Sequence, residues 1–252
     1  MMATSLPTVN LNRPPLNVLN LEFVTEFSNV LRGLERDMCP GVVFTSSSDQ
    51  VFSFGFEISE LCDPEPMRFR SFYTVAQNRW MQLYGSSFPT VALINGSAMA
   101  TGCLLALSCD YRVMVKGHVI GLNEQQVGLV PPTWFTSTML NTIGHRHTEM
   151  GVRLGKLFTT DEALKIGLID CAVGCEEEGM QEALKFLDKF KNITPKCYAY
   201  GKNSLRAPYI KRLKNNQEED LNVAYEFLKD PVVTEKLKAL KTGTLRDIPA
   251  VN

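Results

Sequence analysis

The feature that most constrains the fold of this 252-residue chain is an alternation of short strand-like runs with helical patterns. The β-branched runs 41–45 and 90–94 both end in turn-forming residues, and residues 67–84 between them repeat apolar side chains at helical spacing. A second helical pattern, 99–108, precedes the strand-like run 110–115. Strands that alternate with helices in this way favour parallel pairing. The sequence therefore predicts an α/β fold.

Helical patterns dominate the chain after Pro131 and Pro132. Three of these patterns are amphipathic, and they cover residues 181–190, 196–206 and 218–240. Pro208 is expected to end the second of them. One interpretation makes these helices a solvated cover over the core. The alternative is that they also supply an oligomer interface and part of a binding pocket.

The composition excludes several classes of protein. The formal charge is −1, so nothing indicates binding to nucleic acid or to a membrane surface. No apolar run approaches the roughly 20 residues of a membrane span, and residues 1–15 resemble neither a secretory signal nor a presequence. Seven cysteines in mostly apolar surroundings predict reduced thiols and no structural metal. Small molecules and copies of the chain itself are the expected partners.

Three segments could carry chemistry. Residues 120–129 set Glu124 among apolar and amide neighbours, where desolvation would raise the pKa of a carboxyl toward that of a useful base. Segments 52–57 and 98–103 could direct the amides of Phe56 and Thr101 at one carbonyl oxygen and stabilise an enolate. A surface glutamate and two tight glycine turns explain the same segments without any chemistry.

The order and spacing of several motifs decide between these interpretations. Four segments resemble successive motifs of the crotonase (enoyl-CoA hydratase/isomerase) superfamily: 51–61, 92–103, 109–113 and 120–124. Two more segments, 12–17 and 158–170, extend the resemblance over almost the whole chain. The resemblance is greatest to the mitochondrial 3,2-trans-enoyl-CoA isomerases, whose motif around the acid has the form Gly-Leu-Asn-Glu. It implies a crotonase-like (ClpP/crotonase) fold of repeated ββα turns, with an α/β core at 1–190. Residues 191–252 would form a helical region of the same domain and of a homotrimer interface.

The resemblance also implies the reaction, which is isomerisation of 3-cis- or 3-trans-enoyl-CoA to 2-trans-enoyl-CoA in the β-oxidation of unsaturated fatty acids. Glu124 would move the proton from C2 to C4, and the backbone N–H groups of Phe56 and Thr101 would form the oxyanion hole. Hydratases of the superfamily use a second carboxylate where this chain has Leu104. No metal or cofactor is implied beyond the coenzyme A of the acyl-CoA substrate. The implied substrate-binding residues are Phe54, Gly55, Phe56, Glu57, Ile58, Thr101 and Asn123.

The chain departs from the family pattern at two positions. The family usually has a small residue in place of Phe54 and glycine in place of Thr101. A catalytically impaired acyl-CoA-binding homologue is therefore the alternative function, and hydration is a third. The resemblance implies the mitochondrial matrix, with the cytosol or the peroxisome as alternatives, although residues 249–252 do not form a Ser-Lys-Leu signal.

Overall fold

A computed structural model of the protein describes residues 6–243, so the predictions made for residues 249–252 and for the first five residues lie outside the described range. The strands are β1 Thr8–Leu11, β2 Val42–Ser46, β3 Val51–Ser53, β4 Thr90–Ile94, β5 Ser97–Met99, β6 Tyr111–Val115, β7 Val119–Gly121, β8 Phe158–Thr159 and β9 Cys171–Val173. The helices are α1 Leu21–Arg36, α2 Pro66–Tyr84, α3 Thr101–Ser108, α4 Thr133–Leu154, α5 Thr160–Lys165, α6 Glu176–Asp188, α7 Pro195–Asn215, α8 Gln217–Leu228 and α9 Pro231–Lys241.

From β2 to β7, successive strands alternate between two sheets. The first sheet has the order β1-β2-β4-β6-β9 with parallel neighbours throughout, and the second has the order β3-β5-β7-β8 with only β8 antiparallel. The pairs β2 and β3, β4 and β5, and β6 and β7 thus each contribute one strand to each sheet, and a helix follows each pair. This arrangement confirms the predicted α/β fold of repeated ββα turns.

The central strands of the first sheet, β2 and β4, are buried on both faces. Along β4, Val91 and Leu93 pack with Ala183 and Leu187 of α6, whereas their neighbours Ala92 and Ile94 belong to the larger core cluster on the other face. Side chains of a strand point alternately to its two faces, so a strand buried on both is apolar at every position. This explains why 90–94 could be recognised from its continuous apolar run.

The helical predictions needed three corrections. The pattern 99–108 begins as a helix only at Thr101, because Met99 pairs with Gly121 in the second sheet. Pro208 does not end a helix, since α7 runs through it. The pattern 218–240 is two helices, α8 and α9, separated where the side chain of Asp230 caps α9 and proline takes its first position.

The C-terminal helices are tied to the core through Asp110, at the start of β6. Its carboxylate lies 2.9 Å from Nζ of the buried Lys202 and 3.1 Å from Nη2 of Arg206, both on α7. The Tyr198 hydroxyl donates to the same carboxylate at 2.6 Å. Leu213 of α7, with further side chains of α8 and α9, joins the large core cluster. Within residues 6–243, no helix has both the length and the apolar character of a membrane span.

Candidate active site

The three segments that the sequence singled out meet at one edge of the second sheet. Strands β3, β5 and β7 are parallel neighbours there, with Ser53 beside Ala98 and Met99 beside Gly121. The carboxyl ends of parallel strands lie at the same edge of a sheet, and each segment follows one of these ends. Strand register therefore brings 54–58, 100–101 and 122–124 together.

Two glycines allow these segments to approach each other closely. A Cβ on Gly102, in the first turn of α3, would overlap the carbonyl oxygen of Ser53. Gly55 has a φ of +89°, and a Cβ there would lie 3.0 Å from the amide nitrogen of Thr101 and 2.9 Å from the Cβ of Ala100. The backbones that carry the Phe56 and Thr101 amides are thus packed directly against each other.

The amide N–H groups of Phe56 and Thr101 donate no hydrogen bond to any residue within 6–243. The parallel bridge between Leu19 and Phe56 uses the carbonyl of Gly55 and the amide of Glu57, so the Phe56 amide points away from that bridge. Thr101 is the first residue of α3, and the first amides of a helix have no acceptor inside it. Two free donors next to a helix N-terminus can stabilise a developing negative charge.

Thr101 needs no glycine-like backbone in this structure. The residue with positive φ is its neighbour Ala100, at φ +50° and ψ −121°, which caps α3. Thr101 itself is helical and buried. The substitution of threonine for the glycine usual in the family therefore leaves the backbone donor in place.

Glu124 follows β7 and opens a short 3₁₀ turn that ends at Gly128. Its side chain is buried, and neither carboxylate oxygen has a hydrogen-bond partner among the described residues. Burial raises the pKa of Glu124 from 4.5 to about 8, although the N–H of the residue's own backbone acts in the opposite direction. A carboxyl in this range can both accept and return a proton near neutral pH.

Glu124 and the two donor segments line one cavity of about 510 Å³. Most of its wall is apolar, which accounts for the desolvation of the glutamate. Six of the predicted site residues belong to the wall: Phe54, Phe56, Ile58, Thr101, Asn123 and Glu124. Phe54 is half-buried at the wall and does not fill the space.

Three other residues discussed from the sequence lie elsewhere. Gly55 packs against α3 and, like Glu57, is absent from the described cavity wall. The Glu57 carboxylate accepts a 2.6 Å hydrogen bond from Arg13. Leu104 is completely buried in the core cluster. Within 6–243, no group of three His, Cys, Asp or Glu side chains is placed to hold a metal ion.

Sequence reasoning missed three polar residues of the cavity wall, among them Tyr73 of α2 and Asp220 of α8; the third is Thr133. Asp220 was one of three acidic residues in the first turn of a helix, where carboxylates are common because they complement the helix dipole. Tyr73 was one apolar position in a helical pattern. Neither had a local signal that would separate it from an ordinary helix residue, and α8 reaches the cavity only through tertiary packing.

Comparison with known proteins matches this architecture. The profile of the enoyl-CoA hydratase/isomerase family matches residues 2–241. The protein is 36% identical to human "Enoyl-CoA delta isomerase 1, mitochondrial" over 228 residues, which cover 89% of this chain and 75% of the human protein.

Solved structures agree. The crystal structure of human mitochondrial delta3-delta2-enoyl-CoA isomerase superposes with a TM-score of 0.91 at 34% identity, covering 94% of this chain and 93% of the human one. The enoyl-CoA hydratase from Bacillus halodurans superposes with a TM-score of 0.84 at 24% identity, covering 92% and 95% of the two chains, and shows the shared fold alone. The chain therefore belongs to the enoyl-CoA hydratase/isomerase family.

Proposed function

We propose that the protein isomerises 3-cis- and 3-trans-enoyl-CoA to 2-trans-enoyl-CoA. The Glu124 carboxylate takes a proton from C2, and the electron pair of that C–H bond forms a dienolate whose charge rests on the thioester oxygen. The amides of Phe56 and Thr101 hold this oxygen, and Glu124 returns the proton to C4. The double bond then lies between C2 and C3. Because the thioester acidifies the C2 proton, the reaction requires no metal or redox cofactor.

The observation that carries this proposal is the state of Glu124, a buried carboxyl that has no described hydrogen-bond partner and faces the cavity beside two free amides. Addition of water to a double bond uses two acids in the hydratases, and Leu104 occupies the place of the first. A proton shuttle needs only one acid. These residues support isomerisation over hydration.

Partners and compartment follow from the same proposal. The CoA thioester end lies along 54–58, with Asn123 beside the acyl chain. The protein acts as a homotrimer, to which residues 191–252 contribute as part of the single domain; exposed apolar side chains on α7, such as Tyr200 and Leu205, support an interface there. Light scattering of the purified protein should give three times the monomer mass.

The mitochondrial name of the human relative supports a role in matrix β-oxidation.

Turnover of 3-enoyl-CoA by wild type and Glu124→Gln tests the function. Formation of the 2-enoyl thioester is followed by its ultraviolet absorbance. We expect the substitution to lower turnover by roughly 10²–10⁴-fold, because the amide can neither accept nor return the proton. Wild-type turnover should rise with pH through about 8, since the carboxylate form of Glu124 is the base. Acyl-CoA binding should be nearly the same in both proteins.

Two results would contradict the proposal. A folded wild type that binds acyl-CoA without turnover would make the protein an acyl-CoA-binding homologue, in which Phe54 is the departure to reverse first, by Phe54→Ala. Rapid hydration of crotonyl-CoA would instead mean that a second acid takes part.

A further inference from the structure

The arm formed by residues 13–21 runs beside the segment that carries the Phe56 amide and supplies no group to the proposed proton transfer. The amides of Phe54 and Glu57 donate to carbonyls of the arm at 3.1 and 3.0 Å, and the Gly55 carbonyl accepts from an amide of the arm at 2.8 Å. A trans peptide unit holds its C=O and its N–H in opposite directions. The bond to the Gly55 carbonyl therefore directs the Phe56 N–H away from the arm.

Asn17 fixes the arm to both sheets. It is 2% exposed and has a φ of +47°, a left-handed conformation that asparagine adopts more readily than most residues. Its Nδ2 donates to Oγ of Ser46, at the end of β2, at 2.7 Å, and lies 3.2 Å from the carbonyl oxygens of Val51 and Phe52 in β3. Its Oδ1 accepts from the Arg13 amide at 2.7 Å. Both polar atoms of the side chain are thus used to hold the arm in place.

Ser53 connects Asn17 to both donor segments. Its hydroxyl donates to the backbone carbonyl of Asn17 at 2.7 Å and accepts from the Gly55 amide, one residue before the first donor, at 3.2 Å. A Cβ on Gly102 would overlap the carbonyl oxygen of Ser53 and lie 2.9 Å from its Cβ. Gly102 directly follows Thr101, the second donor. One buried serine, held by Asn17, therefore contacts the segments of both amides.

The position of the two amides matters more to the reaction than to the binding of substrate. Donors stabilise a developing oxyanion only at about 2.7–3.1 Å from the place where it forms, and a shift of about 1 Å can lower a rate by roughly 10²-fold. The ground-state thioester carries less charge on its oxygen, so its binding depends less on these donors. A group that fixes their position is expected to act on kcat more than on KM.

We infer that Asn17 is a positioning residue of the proposed reaction, which sets the Phe56 amide relative to that of Thr101 through the arm and Ser53. The inference rests on the proposed function in one respect, that these two amides hold the thioester oxygen.

Asn17→Gly tests the inference, because glycine keeps the left-handed backbone and removes only the side chain. We expect kcat for 3-enoyl-CoA to fall by roughly 10- to 100-fold, while KM stays within about twofold of wild type. Ser53→Ala removes only the bridge between Asn17 and Gly55 and should lower kcat in the same way, but by less. Where Asn17→Gly fails to fold, Ser53→Ala carries the test alone.

A spectroscopic measurement separates positioning from a general loss of structure. The enolate of acetoacetyl-CoA absorbs in the near ultraviolet, apart from the keto form, and two amides directed at its thioester oxygen favour the enolate. The measurement is made in a Glu124→Gln background, where no carboxylate at that position titrates with the ligand. There, Asn17→Gly should lower the keto–enolate equilibrium constant of bound acetoacetyl-CoA by roughly tenfold at a given pH.

Asn95→Gly is the matched control. Asn95 is 4% exposed, and its side chain bonds to the backbone of Ser46 in β2 and to Glu176 of α6, but to no residue of the arm or of the segment 51–57 among the described residues. We expect this variant to lose stability in urea denaturation to a similar extent as Asn17→Gly. Its kcat and its enolate absorbance should stay near those of wild type.

Two results would overturn the positioning role of Asn17. One is that folded Asn17→Gly and Ser53→Ala proteins keep the wild-type kcat and enolate absorbance, and the other is that Asn95→Gly lowers both as much. A wild type that isomerises 3-enoyl-CoA without dependence on Asn17 contradicts only the positioning role. A wild type that stabilises the enolate through Asn17 but does not isomerise 3-enoyl-CoA contradicts only the isomerase.

Discussion

Glu124 links the chemistry of the site to the stability of the fold. In the folded protein its carboxyl has a pKa of about 8, against a usual value of 4.5 in an unfolded chain. The folded state therefore holds this proton more tightly. This tighter binding of the Glu124 proton adds to the free energy of unfolding. The added stability is fully present below about pH 4.5 and is lost as the pH rises through 8.

The expected consequence is that Glu124→Gln becomes relatively more stable than wild type at high pH. Between pH 5 and pH 9 the difference in unfolding free energy between the two proteins should change by on the order of 3 kcal/mol in favour of the variant. Urea denaturation of both proteins at the two pH values measures this change. A difference that is the same at both would show that Glu124 is ionised in the folded protein throughout this range.

Ala100 holds the backbone at the start of α3 in a conformation that glycine adopts more easily. Its φ of +50° is uncommon for a residue with a Cβ, and strain of this kind costs on the order of 1–3 kcal/mol. We expect Ala100→Gly to raise the free energy of unfolding by about 1 kcal/mol, part of the relief being offset by the greater freedom of glycine in the unfolded chain. Thermal denaturation checks this, and a lowered midpoint would mean that packing of the Ala100 methyl outweighs the strain.

At the scale of elements, α7 keeps a proline in its interior. Pro208 cannot donate a backbone hydrogen bond, and an interior proline costs a helix about 3 kcal/mol. Contacts on both sides of it maintain the helix: Arg206 donates to the carbonyls of Tyr84 and Ser108, and Leu213 is buried in the core. Tertiary packing thus overrides the local preference.

Pro208→Ala should therefore stabilise the protein by about 1–3 kcal/mol, because it restores a helical donor. Pro195→Ala provides the control, since Pro195 occupies the first position of the same helix, where no donor is needed. That variant should be neutral or slightly less stable. Thermal denaturation midpoints of wild type and the two variants measure these effects. Equal shifts for the two variants would contradict the explanation that Pro208 lacks a helical donor.

The same elements show how far the sequence could predict the structure. Strands of five residues that are buried on both faces, such as 90–94, were recognisable because four of the five residues are apolar. The second sheet was not, since a strand of three residues such as Ser97–Met99 is too short to show a period of two. Motif order singled out Glu124, Phe56 and Thr101, which line the cavity, whereas Tyr73 and Asp220 reach it through packing between distant helices.

At the scale of the whole molecule, Asp110 holds α7, the helix that precedes the two C-terminal helices of the cavity wall. Helices α8 and α9 supply part of its wall, including Val223 and Leu240, and α7, which precedes them, is held by Lys202 and Arg206 on this carboxylate. Burial alone would raise the pKa of Asp110, but these two cations hold it below its usual range. One carboxylate thus couples the C-terminal helices to β6.

Asp110→Asn should destabilise the protein by about 3 kcal/mol, because the buried ammonium of Lys202 loses its counter-ion. Acyl-CoA binding should weaken at the same time, as the wall formed by α8 and α9 loosens. Glu218→Gln, which removes the exposed pair with Arg70, should change neither property noticeably. Urea denaturation and calorimetry measure the two effects, and loss of stability without loss of binding would show that the cavity wall does not depend on the anchor.

The close packing of the two donor segments has a consequence for how such a protein changes over generations. Since Phe56 and Thr101 contribute backbone amides, and since Gly55 and Gly102 set the distance between their segments, most side-chain replacements at the cavity leave the donors where they are. Mutations in the wall can then alter the shape of the cavity while the two amides keep their positions. Phenylalanine at position 54 and threonine at 101 leave both backbone amides in place, so side chains at the cavity and the position of the donors can change separately over generations.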